Sequence, residues 1–308
     1  MNDYSGRNRM WRVLTPLLFY WGINMMLAPV IATTVILTRH RLAEVREAMD
    51  GQGLTLEVLV NIQNQVLSGE TGDITPYIIA ATPYIVVLGA FFTLIYGVIV
   101  YWRDRKHEIE EGMLVKVVPK LWQYSMVGGL AIAACIGLNF LLLTLQVNFP
   151  GLRYSQVASA TIFSPPFWFQ IMGFGIITSV AEEVLFRGLI FKRYRETGGF
   201  VRSMIMSSVV FAIVHANLVQ FIYAFAIGAL CAYVYERFGT LKAPIVLHVV
   251  ANLTALTMTQ LGLFRWFFEV PLRVGVAVVL AAFIGSSMVV LLANARFPSE
   301  VVENKETS

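Results

Sequence analysis

The chain has 308 residues, of which 57% are hydrophobic and 14% are charged, and its mean hydropathy is +0.68. Soluble domains carry about 25% charged residues, so this composition excludes an ordinary soluble globular protein and indicates one embedded in a lipid bilayer. The formal net charge of +4 is explained by basic residues that flank membrane spans, and no nucleic-acid partner is expected.

Apolar runs long enough to cross a bilayer recur along the whole chain. A membrane-spanning helix needs about 17 to 25 predominantly apolar residues. We therefore predict an all-α fold, a polytopic transmembrane helical bundle of about eight spans, which forms a single integral membrane domain over residues 1–308. The predicted spans are Arg12 to Thr38, Pro76 to Trp102, Gln123 to Val147, Pro166 to Lys192, Phe200 to Ala216, Leu218 to Arg237, Leu241 to Leu261 and Pro271 to Asn294.

The basic residues between the spans predict the orientation. When the spans alternate, most Lys and Arg fall on the side that holds both termini, so both termini are predicted to be cytoplasmic. The first apolar run is too long for a signal-peptide core and lacks a cleavage pattern, so we expect it to be retained. The protein is expected to be a multi-pass protein of the cell membrane.

Two polar stretches interrupt the apolar runs. Residues 39–75 form the longest one, and we predict an extracytoplasmic insert there that covers the bundle. Residues 103–120 combine charged residues with a following apolar set, which predicts a short amphipathic helix at the cytoplasmic interface. The tail after Phe297 is polar and is expected to be disordered.

The fourth predicted span contains three ionisable residues, Glu182, Glu183 and Arg187. Ionisable groups cost several kcal/mol inside a membrane, so they usually belong to a functional site or pathway. Glu183 and Arg187 are four residues apart and share a helix face, so we expect them to form an ion pair. Glu182 points to a different sector of the bundle, which makes it the candidate general base.

Two later spans add histidines at compatible depth. His215 follows Phe211 by four residues, and His248 precedes Asn252 by four, so each pair shares a helix face. At a rise of about 1.5 Å per residue, both histidines and Glu182 are expected at similar depths, from the cytoplasmic half to the middle of the membrane. The sequence therefore predicts one polar constellation drawn from three spans.

Such a constellation suits peptide hydrolysis. A carboxylate beside a neutral imidazole can take a proton from water, which usually supplies about 10²- to 10⁴-fold in rate. The second histidine and the Asn252 amide can donate hydrogen bonds to the developing oxyanion. This interpretation requires no cofactor.

A zinc-dependent site is the alternative, because Glu182, His215 and His248 make a ligand set that catalytic zinc accepts. We favour the metal-free interpretation because Asn252 suits an oxyanion donor better than a ligand. The sequence also shows no second layer of partners to orient a ligated histidine.

Three motifs carry a resemblance to a known family. The segments AEEVLFRG (181–188), FAIVH (211–215) and HVVAN (248–252) resemble, in order and spacing, the EExxxR, FxxxH and HxxxN motifs of the CAAX prenyl protease and bacteriocin-processing family of intramembrane proteases. The resemblance covers about residues 166–261 and predicts a catalytic core within residues 160–265.

The resemblance implies an endopeptidase with a defined division of roles. Glu182 and His215 would activate water, while His248 and Asn252 would bind the oxyanion. The supporting motif positions are Glu183, Arg187 and Phe211. The implied substrate is a peptide or protein that is prenylated or membrane-embedded.

Two interpretations from other functional classes remain open. A non-enzymatic membrane scaffold or bacteriocin-immunity protein of the same fold would keep these polar residues as hydrogen-bonding contacts between helices. A transporter would also place ionisable groups near the membrane midplane, although the sequence shows no inverted repeat. The intact set of motif residues favours the enzyme.

Overall fold

A computed structural model describes residues 6–40, 75–110, 115–117, 119–148, 161–215, 218–296 and 299–301. The predicted insert at 39–75 lies outside these residues except at its two ends. The described chain forms a helical bundle with one short two-stranded ribbon. Its elements are α1 (Gly6–His40), α2 (Thr75–Glu110), β1 (Val115–Val117), α3 (Leu121–Asn148), α4 (167–195), α5 (Phe200–Ile213), α6 (Leu218–Phe238), α7 (Lys242–Gln260), α8 (Leu263–Phe268), α9 (Pro271–Asn294) and β2 (Ser299–Val301).

The helical membrane fold predicted from the sequence is confirmed. Within the described residues, 6 helices are long and apolar enough to cross a membrane, namely α1, α2, α3, α6, α7 and α9. The other two predicted spans correspond to α4, which is divided into short sections of different helix type, and to α5, which has 14 residues. The total of about eight spans stays a prediction.

Helix α4 alternates between α-helical and π-helical geometry. Its sections are Phe167–Phe169 (α), Gln170–Thr178 (π), Ser179–Glu183 (α), Val184–Phe191 (π) and Lys192–Arg195 (α). Every residue of the second π-helical section is buried, and all but Arg187 are apolar or glycine, as expected for a section that other helices enclose. π-Helical turns are rare and often occur at functional sites, so their presence makes α4 a candidate for carrying the functional site.

Helix α4 runs through the centre of the bundle. It packs against α2 and α7, while α1 packs on α2, α5 packs on α6, and α3 contacts both α7 and α9. One buried apolar core joins α3, α6, α7 and α9, and a second joins α1, α2, α4, α5 and α6. The middle of α4 is therefore enclosed by other helices.

Ion pairs join the helix ends at one end of the bundle. The start of α1, the end of α2 and the end of α4 meet there through three pairs: Arg12 with Glu196 (2.7 Å), Lys192 with Glu108 (2.6 Å) and Arg193 with Asp104 (2.9 Å). The same end holds the ribbon, in which β1 after α2 pairs antiparallel with β2 after α9. Both ends of the described chain thus lie at one end of the bundle, and the assignment of this end to the cytoplasm stays a prediction.

The ribbon corrects two predictions, a short amphipathic helix at residues 103–120 and a disordered start of the tail after Phe297. Helix α2 continues to Glu110, and Val115–Val117 forms a strand that pairs with Ser299–Val301 in the polar tail. The run Val115, Lys116, Val117 alternates apolar and polar residues, which is the pattern of a strand. Its partner is remote in sequence, so sequence reasoning missed the pairing.

Candidate active site

Glu183 is the centre of a buried hydrogen-bond network. Its Oε1 accepts a hydrogen bond from Arg187 Nη1 at 2.7 Å and another from His248 Nδ1 at 2.8 Å. The side chains of Glu183 and Arg187 have no solvent exposure. Buried charges are tolerated when they are paired and hydrogen-bonded, and the ion pair expected from the four-residue spacing meets that condition.

Arg187 ties this network to α5 and α6. Its Nη2 donates to the backbone carbonyl of Gly228 at 2.9 Å, and its guanidinium lies 4.7 Å from the centroid of the Phe211 ring. A Cβ atom at Gly228 would lie 3.0 Å from Arg187 Nη2 and 3.1 Å from Phe211 Cδ1. Glycine at this position therefore allows the arginine to reach the backbone of α6.

His248 is held between the two glutamates. A carboxylate only accepts hydrogen bonds, so Nδ1 of His248 carries the proton that it donates to Glu183. Nε2 then faces Glu182, whose Oε2 is 3.6 Å away. That separation is too long for a strong direct hydrogen bond, and a water molecule that contacts both atoms would lie beside the line that joins them.

Glu182 is the carboxylate of the pair that meets solvent. Its side chain is 13% exposed, whereas that of Glu183 is 0% exposed. The two residues are adjacent in α4 and therefore project in different directions. The structure fixes Glu183 through its Oε1, which accepts both hydrogen bonds, and leaves Glu182 partly accessible.

His215 lies just beyond the end of α5, beside Phe211. Its Nδ1 donates to the backbone carbonyl of Phe211 at 2.9 Å, which leaves Nε2 free to accept a hydrogen bond. The Phe211 ring meets both imidazoles edge-on, with centroid distances of 5.0 Å to His215 and 5.7 Å to His248. Among the described side chains, the imidazole within salt-bridge distance of Glu182 is that of His248. The sequence had instead suggested His215 as the partner of Glu182, and His248 as an oxyanion donor.

Asn252 contacts α4 one turn away from the glutamates. Its Nδ2 donates to Ser179 Oγ at 2.9 Å and lies 3.4 Å from the carbonyl oxygen of Phe174. Sequence reasoning did not select Ser179. The signal was its position four residues before Glu183, which places both side chains on one face of the helix.

The described residues bring together a group that could hold a metal ion. Donor atoms of Glu183, Cys231 and His248 lie within 4.8 Å of one another, and all three residues are buried. This set shares only His248 with the predicted ligands Glu182, His215 and His248. Arg187 Nη1 lies 2.7 Å from Glu183 Oε1 and already balances its charge, so the group fits a hydrogen-bonded ion pair better than a divalent cation.

Comparison with known proteins matches the segment that contains these residues. Residues 164–254 match the family model "Type II CAAX prenyl endopeptidase Rce1-like". A protein of Bacillus subtilis (strain 168) named "Putative membrane peptidase YdiL" is 34% identical over 94 residues, which cover 30% of this chain and 38% of that protein. No solved structure matches the chain. The resemblance seen in the three motifs is confirmed, and the chain spans well under half the length of this curated relative.

Proposed function

We propose that this chain, whose residues 164–254 match the Rce1-like family model, is an intramembrane endopeptidase in which Glu182 activates the attacking water. The observation that carries the proposal is the geometry around His248. Glu183 fixes one imidazole nitrogen at 2.8 Å, and the other nitrogen faces the accessible Glu182 at 3.6 Å. A carboxylate and an oriented imidazole that are close enough to contact the same water molecule suit general-base hydrolysis.

The first step is water activation. Glu182 takes a proton from a water molecule, and the oxygen of that water attacks the carbonyl carbon of the scissile peptide bond. His215 assists from Nε2, which is free because Nδ1 donates to the Phe211 carbonyl. When the tetrahedral intermediate collapses, the proton on Glu182 passes to the leaving nitrogen and the carbon–nitrogen bond breaks.

The second requirement is stabilisation of the oxyanion. His248 donates from Nε2 when its ring is protonated, and the Asn252 amide supplies a second donor. With His248 protonated, two carboxylates, Glu182 and Glu183, face two cations, His248 and Arg187, so the cluster is neutral overall. A cluster without net charge is the less costly arrangement inside a membrane.

The proposed substrate is a peptide or protein that is prenylated or membrane-embedded. The site lies inside a helical membrane bundle, and lipidated or hydrophobic chains concentrate in the membrane that surrounds such a bundle. The matching family model is described as a CAAX prenyl endopeptidase, which supports a prenylated carboxyl-terminal peptide as the first substrate to test. A non-enzymatic scaffold of the same fold is the competing function.

The test is cleavage of a fluorogenic farnesylated CAAX peptide by the purified protein in detergent. An unfarnesylated peptide of the same sequence is the substrate control, and Glu182→Ala and a strong zinc chelator are run in parallel. We expect cleavage of the farnesylated peptide that resists the chelator and is lost in the variant.

The other outcomes each contradict a part of the proposal. Equal cleavage of both peptides would contradict recognition of the prenyl group. Loss of cleavage with the chelator would support the zinc alternative, and cleavage by Glu182→Ala would remove the general base. Absence of cleavage of either peptide by folded protein would contradict a CAAX substrate and favour the scaffold.

A further inference from the structure

Helices α4 and α7 face each other through two polar pairs that are one helical turn apart. Glu183 pairs with His248, and Ser179 pairs with Asn252. A step of four residues forward in α7 matches a step of four back in α4, so the two helices run antiparallel with one pair per turn. The first pair belongs to the motif residues, and the second contains a serine outside them.

Hydrogen-bond accounting fixes the direction of the second pair. Ser179 Oγ lies 2.9 Å from the carbonyl oxygen of Gly175 and 3.3 Å from that of Phe174. A hydroxyl has one proton to donate, and a carbonyl oxygen only accepts, so the Ser179 proton is used by the backbone of α4. Ser179 Oγ therefore accepts from Asn252, and the NH₂ side of the amide must face α4.

The two hydrogens of the Asn252 amide are held unequally. One donates to Ser179 Oγ at 2.9 Å and also lies near the Phe174 carbonyl oxygen, which is 3.4 Å from Nδ2 and 3.3 Å from Ser179 Oγ. Hydrogen bonds weaken near that length. The two acceptors lie toward the same side of Nδ2, so one hydrogen anchors the amide and the second is left to serve an oxyanion.

We infer that Ser179 is a positioning residue that orients the Asn252 amide so that its second hydrogen serves the oxyanion. The inference rests on the proposed function, because it takes Asn252 as an oxyanion donor. Ser179 is fully buried, so water cannot replace its hydroxyl. Without that hydroxyl, the amide keeps only the longer contact with Phe174 and can rotate away from the productive orientation.

The test is a double-mutant cycle of Ser179→Ala and Asn252→Ala, measured with the substrate that the protein cleaves. Ser179→Ala is expected to lower kcat by about tenfold, the rate effect of about one net hydrogen bond, with KM unchanged. In the Asn252→Ala background the same substitution is expected to cause no further loss, because the amide that it orients is absent.

Ser207→Ala is the matched control. Ser207 is also fully buried, but it lies in α5 and its hydroxyl donates to the Met204 carbonyl of its own helix at 3.4 Å. We expect this variant to keep the kcat of the wild type. A tenfold loss there would show that removal of any buried serine hydroxyl slows the enzyme, which would overturn the specific role of Ser179.

The thermal unfolding midpoints of the wild type, the two single variants and the double variant of Ser179 and Asn252 test the pair without a substrate. Non-additive shifts for the two substitutions are expected, and additive shifts would overturn the pair. An equal loss of kcat in both backgrounds, or a rise in KM alone, would overturn the positioning role. Full activity of Asn252→Ala would instead contradict the oxyanion role of Asn252 in the proposed function. In that case, non-additive shifts of the unfolding midpoints would still show that Ser179 and Asn252 interact.

Discussion

Glu182 and Glu183 are neighbours in sequence, and we assign them different tasks because their surroundings differ. Glu183 has no exposure, and one of its oxygens accepts from both Arg187 and His248. Glu182 is partly exposed and faces the second nitrogen of His248. Adjacent carboxylates in unlike environments are a common way to separate a reacting group from a supporting one.

The Glu183 and Arg187 pair predicts a specific pattern of stability. Glu183→Gln or Arg187→Met alone leaves one charge buried without its partner, at a cost of about 3 to 5 kcal/mol. The double variant removes both charges and is expected to be more stable than either single variant, although still slow because His248 loses its carboxylate. Unfolding midpoints and kcat of the four proteins measure this. A double variant as unstable as the sum of the singles would contradict the pairing.

At the scale of the element, α4 approaches α7 closely at a glycine. A Cβ atom on Gly175 would lie 2.6 Å from Leu253 Cδ2. Leu253 follows Asn252 directly, and the Gly175 carbonyl accepts from Ser179. This close approach keeps the Ser179 and Asn252 pair within hydrogen-bond distance.

Substitution of Gly175 tests that approach. Gly175→Ala places its methyl against the flexible end of a leucine and is expected to reduce activity slightly, whereas Gly175→Val forces the helices apart and is expected to abolish it. Leu253→Ala creates room for the added methyls, so it should restore part of the activity of Gly175→Val. Measurement of kcat for these variants shows whether activity depends on the close approach at Gly175. No restoration in the double variant would contradict the steric explanation.

The motifs predicted a set of candidate polar residues, and the helix-to-helix contacts between these residues lay beyond the motifs. Spacing within α4 was enough to predict the contact of Glu183 with Arg187. The bond from Glu183 to His248 depends on the register of α4 against α7, which neither segment encodes alone. The π-helical sections likewise depend on packing and on hydroxyls such as Thr178, whose Oγ donates to the Gly173 carbonyl.

At the scale of the whole molecule, the outside of the bundle is apolar and one end is rich in ion pairs. Large apolar side chains on α9 point outward. This exposure would be unfavourable in water, whereas in a bilayer these side chains contact lipid. Examples are Leu272, Val279 and Phe283, which are 75%, 67% and 69% exposed. The ends of α1, α2 and α4 meet in the ion pairs, so the polar end marks one membrane surface.

Labelling of single cysteines tests the predicted orientation. Cys135 and Cys231 are fully buried, so new cysteines at Ser5, Ser68 or Ser308 can be detected against little background. With a membrane-impermeant maleimide, Ser68→Cys in the insert is expected to react in intact cells, and Ser5→Cys and Ser308→Cys only after permeabilisation. Reaction of the two termini from opposite sides would contradict an even number of spans.

The most direct test of the proposed chemistry is the rate of peptide cleavage by Glu182→Gln compared with the wild type, in buffer stripped of zinc. Glutamine keeps the size of the side chain and cannot act as a base, so kcat should fall by about 100-fold or more with an unchanged unfolding midpoint. Glu236→Gln, which alters a surface ion pair with Arg195, is the matched control and should keep full activity. Cleavage at the wild-type rate by folded Glu182→Gln would contradict the account.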